Sequence, residues 1–403
     1  MAEFPRDWEV IPFCECFTIR KNNTCARTFM SDTTGSVRNV HYGDVLIKYG
    51  SVLSCDKESI PFLTPEGEKI AAQDYLQDGD VVIADTAEDE TAGKVVEIQN
   101  VGDSKIVAGL HTVCCRPVEG RFASGWLGYW MNSPAYHKQL IPLMTGIKVL
   151  SVSKASFSKT YILAPSYEEQ KQIAAAFIAV DKLIDNLARR IEKKRLMKQG
   201  VMQDLLTGKK RLPGFKGEWN ACRLFNVAEF SSTTIPSSRV DLNWYIGTEN
   251  MLPNCGGVER NTAAVPYVNV REFVAGDILV SNIRPYLKKI WLADKNGGCS
   301  TDVLVVRGNR TLITPTFLYC IMSSDRFFNY VMDNAIGTKM PRGDKRVIML
   351  YEIFIPTLRE QESIASILGN MDAEIAKLEA KRDKYINIKR GVMNDLLTGK
   401  VRI

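Results

Sequence analysis

Three histidines, His41, His111 and His137, are the residues best suited to proton transfer or transition-metal binding in this 403-residue chain, and all three lie in its first half. The chain carries no H-E-x-x-H, no paired C-x-x-C and no P-loop. Asp85, Glu88, Asp89 and Glu90 supply oxygens of the kind a hard cation takes, but the second half has no matching cluster, so a solvated acidic loop is the simpler reading. No catalytic constellation emerges.

Contact with anions and bases suits the residues better. Lys48 and Tyr49 follow one expected strand, and Asn282, Arg284, Tyr286 and Lys288 follow another. Lys148, Ser151 and Lys154 occupy a glycine loop, and Thr338, Lys339, Arg342 and Lys345 occupy its counterpart. Arg and Lys neutralise phosphates, Arg forks onto guanine, Asn pairs with adenine, and Tyr packs on sugar or base. Clustering at equivalent places in two halves is what singles these out from ordinary solvated charges.

The elements that must position them come from a duplication. Residues 165–212 overlay 356–403 without a gap at a shift of about 191, agreeing at roughly 20 of 48 positions. Each copy reads as a long helix. Ser166 with Glu169, and Thr357 with Glu360, have capping-box spacing. Apolar residues then recur at steps of four and three: Ile173, Phe177, Val180, Ile184, Leu187 and Ile191, against Ile364, Leu368, Met371, Ile375 and Leu378. That period predicts a coiled-coil seam. Gly208 and Gly399, each in Leu-Leu-Thr-Gly-Lys, are the expected stops. Some 40 helical residues span roughly 60 Å, more than one turn of duplex DNA. Gly200 and Gly391 fall inside the helices at matched places, predicting that another backbone passes close to each.

Ahead of each helix lies a mixed segment. Phe4, Asp7 and Trp8 open the first and Phe215, Glu218 and Trp219 the second, a shift of about 211, with 209–214 as connector. Tyr42–Ile47, Gly79–Ile83 and Gly276–Val280 read as turn-then-strand signals. Residues 131–165 overlay 322–356, bringing Gly146 and Lys148 onto Gly337 and Lys339. A helix over 126–140, or 317–332, leads into that glycine, and a strand then feeds the long helix.

Bulk composition sets limits. A 45% hydrophobic content in 403 residues supports two or more cored domains. Nothing resembles a signal peptide, no apolar run approaches a membrane span, and the ten cysteines lack framework spacing, so a cytoplasmic protein with reduced thiols is expected. Net charge is +6, but residues 1–165 carry about −4 and 166–212 about +5, so any anion-binding surface in the first segment is a local patch.

With these residues in view, the chain resembles the specificity (S) subunits of type I restriction-modification systems over its whole length. The entry motif Pro-x-x-x-Glu-Gln-x-x-Ile-Ala stands as Pro165, Glu169, Gln170, Ile173, Ala174 and as Pro356, Glu360, Gln361, Ile364, Ala365, and Gly-Val-Met-x-Asp-Leu-Leu-Thr-Gly closes each helix at 200–208 and 391–399. Where many members begin Pro-Pro, Ala164 and Ile355 replace the first proline. The resemblance implies an α+β fold with an internal pseudo-twofold repeat: target-recognition domains at 1–164 and 213–355, each followed by a helix at 165–212 and 356–403, the helices pairing as an antiparallel coiled coil. It implies a non-catalytic reader of a bipartite, asymmetric sequence in double-stranded DNA, docked to two methyltransferase subunits, with restriction and translocase subunits joining the full complex. S-adenosylmethionine, ATP and Mg would belong to those partners, and this chain would bind no cofactor. Glu169, Gln170, Ile173, Phe177, Ile184, Leu187, Glu360, Gln361, Ile364, Leu368, Ile375 and Leu378 are assigned to helix pairing and subunit docking. Two rivals predict different behaviour: a nuclease or methyltransferase would modify DNA alone, and a coiled-coil scaffold would show no sequence preference.

Overall fold

The Gly79-Asp80 and Gly276-Asp277 turns each feed a strand of four buried residues, Val81–Ala84 in the first half and Ile278–Ser281 in the second. A strand buried on both faces needs packing on each side of its sheet. The computed structural model describes residues 4–70, 74–261 and 269–403, and the chain divides into two compact units, Met1–Ala188 with Lys381–Ile403, and Arg189–Ala380. In the first, Val81 and Ile83 join a core with Trp126, Trp130 and Phe177, while Val82 and Ala84 join one with Val45, Leu53 and Ile98. In the second, Ile278 and Val280 share a core with Phe317, Phe327 and Leu368, and Leu279 one with Phe273 and Val305.

The sheets around these strands are alike. In the first unit the spatial order is Phe17–Arg20, Thr112–Pro117, Val81–Ala84, Val95–Gln99, Val52–Ser54, with three antiparallel junctions and a final parallel one. In the second it is Ala228–Phe230, Val303–Gly308, Ile278–Ser281, Ile290–Leu292, antiparallel throughout. A separate two-stranded ribbon joins the ends of each mixed segment: Glu9–Pro12 with Tyr161–Ala164, and Asn220–Arg223 with Glu352–Ile355. Glu9 lies opposite Ala164 as Asn220 lies opposite Ile355. That pairing is why two sequence shifts, about 211 and 191, describe one repeat.

Both long helices form, as Tyr167–Leu206 and Leu358–Leu397, 40 residues each. They pack antiparallel within each unit. In the first, Lys389 pairs with Asp181 at 2.5 Å and Arg402 with Glu169 at 2.6 Å; in the second, Lys198 pairs with Asp372 at 2.5 Å and Arg211 with Glu360 at 2.7 Å. Position rises on one helix as it falls on the other. Ser166 Oγ accepts the Glu169 amide at 3.3 Å, as capping requires. The glutamate carboxylates, however, turn to the arginines that follow the opposite copy's Leu-Leu-Thr-Gly. Gln170 and Gln361 tie each helix start to its own mixed segment: their Oε1 atoms accept the amides of Ala123 and Thr314, and their Nε2 atoms donate to the carbonyls of Pro165 and Pro356. Trp8 lies against Gly399, and Trp219 against Gly208.

Three local expectations are corrected. Tyr42–Ile47 is a helix, because His41 caps it: the imidazole Nδ1 accepts the Gly43 amide at 3.2 Å and turns the chain where alternation alone suggested a strand. The helices over 126–140 and 317–332 are each two, divided at Ser133 and Ser324, whose hydroxyls cap the second piece by accepting the amides of Tyr136 and Phe327. A Cβ on Gly200 or Gly391 would meet nothing within 4 Å, so no backbone crosses there. The close approach lies elsewhere: a Cβ on Gly128 would collide with the Ser51 carbonyl oxygen.

Gly125 and Gly128 also donate their amides to the buried Glu97 carboxylate, at 2.5 and 2.9 Å. Burial nevertheless pushes this carboxyl up to about 7. A raised folded-state value means that the folded chain binds the proton more tightly than the unfolded chain does. The resulting stabilisation is therefore full below about pH 4.5, is lost as pH rises toward 7 and is absent above, amounting to about 3 kcal/mol. Comparing urea midpoints at pH 5 and pH 8 should show this loss in the native chain and not in Glu97→Gln; equal pH dependence in both would place the titration elsewhere. Among the described residues no helix is long and apolar enough to cross a membrane.

Candidate nucleic-acid interface

The Gly-Asp turns are structural. Asp80 accepts from Arg116 Nε and Nη2 at 2.8 and 2.7 Å, and Asp277 from Arg307 Nε and Nη2 at 2.8 and 2.6 Å. Each carboxylate also accepts a backbone amide, from Gln77 or Val274. This forked clamp, between the turn and the neighbouring strand, aims the strand's far end at a loop. Lysines just ahead of the next strands fix other chain segments: Lys94 Nζ donates to the Leu46 and Tyr49 carbonyls at 2.8 and 3.1 Å, and Lys289 Nζ to the Thr248 carbonyl at 2.8 Å. Sequence reading missed Arg116 and Arg307, although they are matched at the shift of 191 that aligned the glycine loops.

Beyond the clamp, the loop after the central strand meets the glycine loop in both units. Thr86 lies opposite Ser151 in one, and Ile283 opposite Arg342 in the other. The Val152 amide donates to the Asp85 carbonyl at 2.8 Å, as the Gly343 amide donates to the Asn282 carbonyl at 3.2 Å. Gly146 and Gly337 both have positive φ, 120° and 91°, which lets the glycine loop reverse. Two loops from separate stretches of sequence are thus fused into one platform, twice.

On the first platform Lys148 and Lys154 are exposed and Ser151 is half-buried in the bridge. Ile147, beside Lys148, is wholly exposed at the loop tip. Lys48 and Tyr49 belong elsewhere: they follow a helix, not a strand. Tyr49 is 3% exposed and donates its hydroxyl to the Ser59 carbonyl at 3.3 Å, so it is a core residue and leaves the contact set. Lys48, though exposed, donates to the same carbonyl.

On the second platform the structure sorts the candidates. The Asn282 Oδ1 atom is buried without a partner, so this side chain faces inward rather than toward adenine. Lys288 is paired with Asp325, and Arg342 lies 3.4 Å from Asp302 in a half-exposed contact. Arg284, Thr338, Lys339 and Lys345 are exposed, and Tyr286 is about half so. Arg284 and Lys288 have φ of 50° and 49°, a left-handed conformation that costs a non-glycine residue roughly 1–2 kcal/mol.

The twelve helix residues divide differently from expectation. Ten of them, Glu169, Gln170, Ile173, Phe177, Leu187, Glu360, Gln361, Ile364, Leu368 and Ile375, are buried within the chain, and Ile184 and Leu378 are half-buried. Ile173, Phe177, Ile364 and Leu368 pack into the cores of the recognition segments, Gln170 and Gln361 bond to those segments, Glu169 and Glu360 pair with the arginines that follow the opposite helix, and all ten are closed to a docking partner. Leu196, Met197, Ile388 and Val392 are exposed apolar residues of the helices, as are Tyr167, Ile178 and Leu358 nearer the helix starts, and the seam periodicity singled out none of them. Among the described residues no cluster of three or more His, Cys, Asp or Glu is arranged to hold a metal.

The chain is thus a duplicated α+β protein with two long packed helices and a two-loop platform in each half. Residues 216–387 match the family model described as type I restriction modification DNA specificity domain, the domain of the specificity subunits of type I restriction-modification systems. Such a subunit is a non-catalytic component of its enzyme complex. The chain is 26% identical over 290 residues to the type I restriction enzyme MjaVIII specificity subunit of Methanocaldococcus jannaschii, an alignment covering 64% of this chain and 66% of that one. It is 22% identical over 431 positions to the putative type I restriction enzyme MjaX specificity subunit of the same organism, covering 100% and 96%. Its fold is that of the S subunit of the M. genitalium type I restriction-modification system, with a TM-score of 0.57 at 12% identity over 98% of this chain and 97% of that one. It also superposes with a TM-score of 0.59, at 14% identity and full coverage of both chains, on a structure described as the basis of complex assembly and conformational transition of the type I R-M system.

Proposed function

We propose that this DNA specificity subunit reads a split, asymmetric target, with one half-site taken by residues 1–164 and the other by 213–355, and an unread spacer between them. One observation carries the reading: the same bridged two-loop platform is built in both units on different side chains. One architecture with two surfaces suits two different half-sites. The helices dock two methyltransferase subunits, with Leu196, Met197, Ile388 and Val392 as the exposed apolar contacts. Those subunits bring S-adenosylmethionine, and restriction subunits bring ATP and Mg. The clamps at Asp80 and Asp277 position the platforms without touching DNA.

Mapping methylated bases in the host genome with and without this gene tests the reading. Loss of one motif made of two short half-sites around a fixed gap is expected; no change in the map would remove the chain as a reader. For the phosphate contacts, Lys148, Lys154, Lys339 and Lys345 have no ion-pair partner among the described residues. Changing all four to alanine should weaken DNA binding by the methyltransferase complex at every sequence. It should also flatten the slope of log affinity against log salt by up to about 3–4, one contact each. An unaltered slope would show that these lysines stand off the DNA.

A further inference from the structure

The turn 282–288 is held harder than a surface loop needs to be. The Asn282 amide donates to the Asp302 carbonyl and the Arg284 amide to the Pro341 carbonyl, both at 2.8 Å. Pro285 is buried beneath it. At its far end the Leu287 and Lys288 carbonyls accept the amides of Asn254 and Cys255, both at 2.9 Å. Those restraints keep Arg284 and Lys288 in left-handed backbone, where they would not stay unaided. Of the other polar side chains around the turn, Lys288 meets Asp325, Lys289 meets the Thr248 carbonyl, Arg342 meets Asp302, and Asn282 turns its buried, unpartnered Oδ1 inward, away from the surface. Among the described residues the Arg284 guanidinium has no protein partner, and it is exposed, two residues from the half-exposed Tyr286.

An unengaged arginine on a rigid, strained turn differs from a solvated charge. A phosphate contact is satisfied by a mobile ammonium and needs no such fixing, and Lys339 and Lys345 on the same platform supply that kind of contact. The planar guanidinium fork matches two acceptors at a fixed spacing, which O6 and N7 of guanine present in the major groove. The position equivalent to Arg284 in the first unit is Ala87, 4% exposed in the short strand Thr86–Ala87, so the first platform has no such group. Resting on the DNA-reading function proposed above, we infer that Arg284 is the residue by which the second recognition domain specifies a guanine in its half-site, with Tyr286 packing beside it.

The test uses the full chain assembled with its methyltransferase subunits, and a randomised duplex library from which the bound fraction is sequenced. Three forms are compared: native, Arg284→Lys and Arg284→Gly. Glycine adopts the left-handed turn without strain, so that variant cannot fail through the backbone. The native complex should enrich a split motif, and both variants should lose roughly 5–150-fold of the preference for guanine at one position of one half-site. The other half-site should stay as selective as before. If Arg284→Lys keeps every base preference and only the overall affinity falls, Arg284 is a phosphate contact and the inference is wrong. Unaltered motifs in both variants overturn it as well. If the native complex enriches no motif, the reading function fails, and this inference with it.

Discussion

Replacing Arg211 with alanine is expected to cost about 3–5 kcal/mol of unfolding free energy, because the Glu360 carboxylate it forks onto is 1% exposed and would stay buried without a counter-charge. Arg211 also lies with its guanidinium carbon 5.4 Å from the Trp219 ring centroid and donates to the Gly217 carbonyl, so one side chain ties helix start, connector and tryptophan together. Urea unfolding of Arg211→Ala, Glu360→Gln and the double variant would measure the coupling. The double variant should lose markedly less than the sum of the singles, since removing the carboxylate's charge removes the reason for the penalty. A loss below about 1 kcal/mol in Arg211→Ala would mean that water reaches Glu360 and that the pair behaves as a surface contact. The equivalent Arg402→Ala should cost less, because the Arg402 side chain is 46% exposed where that of Arg211 is 28%.

A still larger effect is expected from Ile375→Asp. Ile375 is 8% exposed in the second long helix, and an aspartate there loses the apolar burial and places an unpaired carboxylate in the seam. The combined cost, upwards of about 4 kcal/mol, is a large part of a domain's typical stability, so the chain should be recovered unfolded or insoluble. Leu196→Asp is the control. Leu196 is 59% exposed, so the same chemical change should leave the helical circular dichroism intact while weakening co-purification with the methyltransferase subunit. If Ile375→Asp folded and bound partner normally, the seam would not be where the chain draws its stability. If Leu196→Asp bound partner normally, the docking face would lie elsewhere.

The helices were legible because their signal is local and periodic: Ile173 and Phe177, or Ile364 and Leu368, stand at helical spacing, and Ser166 marks a start. What periodicity could not assign was the opposing surface. The first turns of each helix bury against the recognition segment, so residues expected to serve docking as well as pairing are internal. Tyr42–Ile47 shows the limit of short patterns, since six residues fit strand or helix equally and the deciding group is the ring nitrogen of His41. Matched glycines were read as a close approach at Gly200 and Gly391, yet the helical glycine that meets another backbone is Gly128, which no repeat marks. The platforms were half legible. Glycine loops and Gly-Asp strands could be aligned between halves, but the shifts differ, and only the bridges Thr86 to Ser151 and Ile283 to Arg342 show the two sets to be neighbours. Which side chains face outward was beyond sequence reach, because Asn282 and Arg284 alternate around a turn whose left-handed backbone has no glycine to announce it.

The ion pairs in the helical seam bear on what the chain avoids. Asp181 with Lys389 and Asp372 with Lys198 are related by the repeat and would form equally well if the first helix met the first helix of another copy. Lys194 with Glu374, at 2.7 Å, and Arg195 with Glu379, at 2.5 Å, have no such equivalents. The positions corresponding to Glu374 and Glu379 are Leu183 and Ala188, so like-with-like pairing would set these cations against apolar side chains. Each contact, being partly exposed, contributes only about 0.2–1 kcal/mol. Their value is discriminatory: in a duplicated sequence whose two helices resemble each other, they favour the union of unlike helices over the pairing of like with like.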